Sequence, residues 1–312
     1  MGETRSIALL GQPKSTIFNT LTGLHQHVGN WPGKTVEKKE GEFKYGDTTY
    51  KVADLPGSYS LSANSEEEIV TRDYIAKKDL DLVCILADAS QLERSMYMLA
   101  DYAGIKTPVM LVLTMMDVAK SKGKSIDVKQ LSEKLGIEVC SLIAYDKKSY
   151  DSFYQCLETS IQKKKTLGYE TLVDIIKNGE SSEQYRQCLE KAPLISGERR
   201  SEDWVAMKLL EADEAVIREL AIKGEKDIQT DPKGALYISD ARFQWIESIL
   251  DGAGTDAKKP SEALTKFDRA AIGPRSGKWV AFGIVVLALA GAMIVASPIM
   301  GLGGALPTVP KP

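Results

Sequence analysis

The chain has 312 residues, 43% of them hydrophobic and 27% charged, with a formal net charge of −3. That length accommodates about two domains, the composition is that of a globular protein, and the balanced charge gives no sign of a surface built to hold nucleic acid. The four cysteines, Cys84, Cys140, Cys156 and Cys188, show no C-x-x-C spacing, as expected of reduced thiols in a cytosolic domain. The two histidines, His25 and His27, alternate in a polar loop, which argues against a zinc site in the soluble part.

The first twenty residues read as strand, loop and helix, so no signal peptide is expected. An apolar strand over residues 7–10 runs into Gly11-Gln12-Pro13-Lys14-Ser15-Thr16, and a helical pattern follows with Ile17, Phe18, Leu21 and Leu24 on one side. Strand, glycine turn, Lys-Ser-Thr and helix is the layout of a phosphate-binding loop. The usual spacing is Gly, four residues, Gly-Lys-Ser/Thr. Only Gln12 and Pro13 separate Gly11 from Lys14, so this loop is three residues short and lacks its second glycine.

Residues 27–36, rich in Gly, Pro and Asn, predict an irregular loop. Two strands over 41–45 and 48–54 flank the two-residue hairpin turn Gly46-Asp47. The second ends in Asp54-Leu55-Pro56-Gly57, a D-x-x-G motif where GTPases place a carboxylate for the magnesium shell and a glycine amide for the γ-phosphate. A buried strand over 82–87, a helix over 92–103 and a strand over 109–113 follow. The last delivers Thr114-Met115-Met116-Asp117 at its carboxyl end, where open α/β sheets bind ligands. Asp117 fits the guanine-reading carboxylate of an Asn/Thr-Lys-x-Asp motif, with Met115 in the lysine position; the competing role is a helix N-cap. A helix over Val128–Leu135 leads to a strand over 139–143. Ile143-Ala144 there supplies the alanine of a base-binding Ser-Ala turn, whose backbone amide can still serve. A helix over 150–163 ends this part at Lys163-Lys164-Lys165.

From Leu167 to Leu250 strand signals vanish and helical periodicity takes over, in patterns around Leu172, Tyr185, Trp204, 216–222 and 235–250. A polar linker over 252–259 precedes a stretch with no charged residue from 279 to 310, nearly continuously apolar over 280–299. About 20 residues at 1.5 Å each span a hydrocarbon core of roughly 30 Å. Lys266, Arg269, Arg275 and Lys278 before it place that flank in the cytoplasm. The reading is an α/β, mostly parallel P-loop sheet over 1–165, a small all-α domain over 166–262, and a membrane-entry segment with one transmembrane helix over 263–312.

These motifs together resemble the amino-terminal part of the ferrous iron transport protein B family. The resemblance covers nearly the whole chain. It rests on Val28-Gly29-Asn30-Trp31-Pro32-Gly33 followed by Thr35-Val36-Glu37, on 54–61, on the helical stretch 204–211, and on Asp268-Arg269 before the apolar run. It implies a bacterial inner-membrane Fe(II) transporter with a GTP-binding, slowly hydrolysing cytoplasmic region over 1–278. The remaining membrane part of the transporter would be its partner, and the helical domain would slow nucleotide release. Residue by residue, Gly11, Lys14, Ser15 and Thr16 would hold phosphates, and Ser15 and Thr35 would ligate magnesium. Asp54 would hold a magnesium-bound water, Gly57 would meet the γ-phosphate, and Thr114, Asp117 and Ala144 would hold guanine. Three departures stand out. Asn-x-Gly, whose asparagine holds potassium in some members, is what the loop lacks; Thr114 replaces the family's Asn; and the chain stops after one membrane helix. Three lost backbone donors to polyphosphate, at about 1.5–3 kcal/mol each, amount to roughly 4–9 kcal/mol, or at least about a thousandfold in affinity. The alternative is a membrane-tethered pseudo-GTPase acting as an interaction module. A ribosome-assembly GTPase is disfavoured, because no basic RNA-binding domain is present and the apolar tail would be unexplained.

Overall fold

The computed structural model describes residues 3–23, 26–31, 34–57, 60–62, 65–77, 79–225 and 231–255, together with Lys278, Val285, Val286 and Ala288. Leu24, His25, Pro32, Gly33, Ser58, Tyr59, residues 256–259 of the linker and Asp268-Arg269 lie outside the described residues. So does the apolar run 280–299, apart from Val285, Val286 and Ala288, which are helical. Among the described residues, no helix is long and apolar enough to cross a membrane.

In chain order, β1 (Thr4–Gly11), α1 (Ser15–Thr22), β2 (Gln26–Asn30), β3 (Glu37–Tyr45) and β4 (Thr48–Asp54) come first. Then follow α2 (Glu66–Lys77), β5 (Leu82–Asp88), α3 (Leu92–Ser95), α4 (Tyr97–Asp101), β6 (Val109–Thr114), α5 (Met116–Ser121), β7 (Ser125–Ile126), α6 (Val128–Leu135), β8 (Val139–Ser141) and α7 (Lys147–Lys163). The remaining elements are α8 (Glu170–Asn178), α9 (Ser182–Lys191), α10 (Glu202–Leu210), α11 (Glu214–Ile222), α12 (Gly234–Leu250) and β9 (Gly254–Thr255).

Among the described residues, seven strands form one sheet in the order β2-β3-β4-β1-β5-β6-β8. β4, β1, β5, β6 and β8 run parallel, while β3 pairs antiparallel with β4 and β2 with β3. The central strands read as unbroken apolar runs because both faces are covered. Alternation sends Ile7, Leu9, Cys84, Met110 and Val112 to a core shared with α1 and α7. Ala8, Leu10, Ile85, Leu111 and Leu113 face the opposite core, which continues without a break into α8–α12 through Leu172, Tyr185, Trp204 and Trp245. β7 pairs with β9, and Asp127 N–H donates to Ala253 O at 2.8 Å, so the end of the helical region returns to the sheet region.

Three local expectations change. Residues 26–30 form an edge strand instead of irregular loop, because β3 supplies their backbone partners whatever the side-chain propensities. The expected helix over 92–103 is interrupted at Met96. The last sheet strand ends at Ser141, two residues early, with Leu142 N–H still bonded to Leu113 O at 2.8 Å.

The joint between α10, α12 and the segment after β4 is made by buried charges. Lys208 Nζ lies 2.6 Å from Asp101 Oδ1 and 3.0 Å from Glu211 Oε2; Arg242 Nη2 lies 2.7 Å from the same Asp101 oxygen and also pairs with Glu211. Asp101 accepts from Leu61 N–H as well, and Lys208 donates to Ser62 Oγ at 3.1 Å. Alongside, Arg72 donates to both oxygens of Asp213 at 2.9 Å, and Asp213 caps α11. Burial alone pushes the Asp101 carboxyl up. The Arg242 and Lys208 charges, with bonds from Lys208 and Leu61 N–H, overcome this and hold it at about 2. A depressed carboxylate contributes stability above its unfolded value near 4 and loses it as pH falls through the folded value. Asp101→Asn, which leaves two buried cations to share Glu211, is expected to lower unfolding free energy by about 3–5 kcal/mol near neutral pH. In urea denaturation the gap from wild type should close as pH falls from about 4 to about 2; a pH-independent gap would remove the charge as its cause.

Candidate functional site

The parallel strands end together, and the candidate residues lie at those ends. Gly11 closes β1 with φ +94, a conformation that L side chains rarely adopt. A Cβ there would fall 2.3 Å from Leu86 O on β5, so only glycine fits where β1 and β5 stay paired. Gln12 and Pro13 are exposed, and Lys14, next in the chain, is buried at the N-terminus of α1. Phe18 N–H bonds Lys14 O at 2.9 Å, which starts the helix, and Ser15 and Thr16 are exposed in its first turn.

Strand register brings Asp54 to the same place, since Leu9 on β1 pairs with Asp54 on β4. Lys14 Nζ lies 3.0 Å from Asp54 Oδ1, both side chains more than nine-tenths buried. The contact is close, but its alignment is not that of a hydrogen bond, and Asp54 Oδ1 has no hydrogen-bond partner among the described residues. A buried carboxylate oxygen with unused acceptor capacity suits a water of a hydrated cation. Gly57 is exposed, and a Cβ on it would fall 2.7 Å from Gln12 Nε2, so the Gln12 amide stands directly against Gly57.

Thr35 is exposed and donates from Oγ1 to Glu66 Oε2 at 3.1 Å, with Lys34 Nζ 4.0 Å from the other Glu66 oxygen. Glu66 begins α2 with Glu67 and Glu68, three acids that suit the positive end of a helix. At the other end of the site, Thr114 is buried and donates to Ala87 O at 3.2 Å, tying β6 to β5. Met115 has φ +54 and caps α5, whose first turn carries the exposed Asp117. Ala144 O accepts from Tyr150 Oη at 3.1 Å, and Ser149 Oγ bonds Ile143 N–H and O, which fixes the turn after β8.

A cavity of about 240 Å³ runs from Gly11–Pro13 to Met115, with Asp88, Arg94 and Met98 in its wall. Gly11, Lys14, Asp54 and Gly57 thus converge, whereas Thr35 is held at Glu66 and Asp117 is exposed beyond the end of β6. Gln12, Glu66 and Arg94 were not legible as site residues. The Glu66-Glu67-Glu68 run after a D-x-x-G motif was the signal available for Glu66.

The chain matches the family model of ferrous iron transport protein B over residues 5–157. It is 35% identical over 275 residues to the Fe(2+) transporter FeoB of Legionella pneumophila strain Lens, covering 83% of this chain and 34% of that protein. Against the Fe(2+) transporter FeoB of Escherichia coli K12 it is 32% identical over 284 residues, 85% of this chain and 35% of that protein. It spans about a third of the length of these curated relatives. Among solved structures, the cytosolic domain of the Thermotoga maritima FeoB iron transporter in a GDP form aligns with TM-score 0.71 at 31% identity, over 81% of this chain and all of that one. The GMPPNP form of the same domain gives 0.70 at 29%.

Removing Lys14 leaves Asp54 buried without a counter-charge. Lys14→Met is expected to lower the unfolding free energy of the nucleotide-free protein by about 3–5 kcal/mol in chemical denaturation. No change would mean that the pair carries no structural weight.

Proposed function

The chain belongs to the ferrous iron transport protein B family, and we propose that it is the guanine-nucleotide-binding cytosolic region of an Fe(II) transporter, working through a weakened phosphate loop. The observation that carries this reading is the meeting of Gly11, Lys14, Asp54 and Gly57 at the carboxyl ends of parallel strands, beside a cavity that reaches from Gly11 to Met115. Ligands of open α/β sheets bind there. The relatives solved with GDP and GMPPNP support guanine nucleotide as the ligand.

In this reading the α1 N-terminus, with the amides of Ser15 and Thr16, faces the phosphates and favours their charge. Lys14 exchanges Asp54 for the β/γ-phosphates. Ser15, together with Thr35 once it leaves Glu66, would hold magnesium, whose bound water would meet the orphaned Asp54 oxygen; magnesium there would neutralise phosphate charge. Asp117 accepts from the guanine edge, the Ala144 amide donates to its oxygen, and Thr114 braces the strand between them. Hydrolysis of GTP is slow. The potassium that would sit on the missing asparagine has no counterpart ligand in the shortened loop.

Residues 166–262 form the regulatory helical domain of this reading. Lys208 donates to Ser62, and its partner Asp101 accepts from Leu61 N–H, which ties this domain to the segment just after the D-x-x-G motif, where loss of γ-phosphate would be felt; Arg72 of α2 pairs with Asp213 alongside. The apolar run 280–299 anchors the chain in the inner membrane, with 1–278 cytoplasmic and the remaining transporter as partner.

A second reading, a tethered pseudo-GTPase that acts as an interaction module, draws on two contacts. Lys14 and Asp54 face each other as an ion pair, and Gln12 stands on Gly57. Asp117→Asn separates the two, because an amide swaps acceptor for donor at the base edge. Titration with fluorescent guanosine and xanthosine nucleotides should show the variant's preference moving from guanosine to xanthosine. An unchanged preference removes guanine reading from Asp117, and absence of binding by either protein favours the pseudo-GTPase.

A further inference from the structure

The seven-stranded sheet ends at β8 on one side and at β2 on the other. β8 is a short edge of three residues, whereas β2 presents five. β2 pairs with β3 in a register without a bulge, Gln26 opposite Gly41, Val28 opposite Lys39 and Asn30 opposite Glu37. Just past it, in the same register, Trp31 N–H bonds Val36 O at 2.9 Å. Backbone groups of an antiparallel ladder alternate between the two sides of a strand. Gly29 and His27 therefore turn theirs to β3 as Trp31 does, and Gln26, Val28 and Asn30 turn their N–H and C=O to the open side. Among the described residues, none bonds those outward groups.

Natural edge strands are commonly guarded by charges, proline or a bulge. β2, Gln26-His27-Val28-Gly29-Asn30, has none of these, while its neighbour β3 carries Glu37, Lys38, Lys39, Glu40, Glu42 and Lys44. Val28 is 53% exposed, and a Cβ on Gly29 would meet nothing within 4 Å, so space lies open beside the strand. The strand is also its own complement. Rotated about a two-fold axis through Val28, an antiparallel copy sets Gln26 opposite Asn30, His27 opposite Gly29 and Val28 opposite Val28. The outward-turned residues then face one another, so each outward N–H meets an outward C=O. The Gln26 and Asn30 amides are paired, the two Val28 side chains cover each other, and no like charges meet.

We propose that β2 is a self-association edge, at which a second copy of this chain adds its own β2 antiparallel and the sheet continues through the two-fold axis. The interface is isologous, the same residues serving both copies. It is small beside the roughly 1,200–2,000 Å² of a stable complex, so association depends on concentration. The inference stands apart from the nucleotide reading.

The full chain in detergent micelles is followed by sedimentation velocity over a range of concentrations. The expected result is a doubling of protein mass as concentration rises. Val28→Lys sets two ammonium groups against each other at the axis. Because Val28 is exposed, the variant should keep the wild-type thermal melt and stay at the mass of one copy over the same range. Opposite Cα atoms about 5.5 Å apart lie within disulfide reach. Val28→Cys, oxidised with copper phenanthroline at an associating concentration, should therefore yield pairs joined through the introduced cysteine, as read by peptide mapping. Ile222→Cys, at an exposed position on α11, should yield far fewer. A wild-type chain that keeps the mass of one copy throughout, a Val28→Lys variant that associates as the wild type does, or equal cross-linking from Val28→Cys and Ile222→Cys would each overturn the proposal.

Discussion

The contact between Lys14 and Asp54 follows from the length of one loop. β1 and β4 are held in parallel register with Leu9 opposite Asp54, so the carboxylate stands beside the strand from which the loop departs. With only Gln12 and Pro13 between Gly11 and Lys14, the chain turns directly into α1 and carries the ammonium group to 3.0 Å from the carboxylate. Burial makes this contact matter. An isolated buried charge is expensive, and each group here offsets the other's lost hydration. A polyphosphate at the site must replace Asp54 as the partner of Lys14. It must do so with fewer backbone donors than a full-length loop provides.

The segment after Asp54 is gripped from the other side. Leu61 N–H and Ser62 are bonded to Asp101 and Lys208, and Arg72 to Asp213, so α2 and its approach are tied to α10 and α11. These ties are ionic and buried. They are strong while complete, and the loss of one member strands another. A rearrangement near Gly57 would therefore reach the helices as a change in buried charge pairing rather than as diffuse loosening.

The sheet was legible because covered parallel strands leave continuous apolar runs, as at 82–88 and 109–114, and the hairpin was legible from Gly46-Asp47. α6 was legible to the residue because Asp127 caps it and Gly136 ends it. α2 was not expected. Its buried side includes Thr71 and Arg72, and Arg72 pairs with Asp213, far along the chain, a partner that no local pattern reveals. Lys208 was hidden for the same reason: within a run that reads as core, it is fully buried through Asp101 and Glu211. In the site, the motif residues were legible by spacing. The Lys14–Asp54 pairing, the Gln12–Gly57 contact and the hold of Glu66 on Thr35 depend on tertiary approach and were not.

In the proposed function, loop length limits nucleotide binding at a site otherwise assembled for it. Inserting Asn-Ser-Gly between Pro13 and Lys14 returns three amide donors and a glycine where backbone must approach phosphate. The most direct measurement is the GDP dissociation constant of the repaired chain against the original, with magnesium present. Tightening by at least about a thousandfold, the equivalent of roughly 4 kcal/mol, is expected. Equal affinities in the two proteins would contradict it, and would place the defect outside the loop.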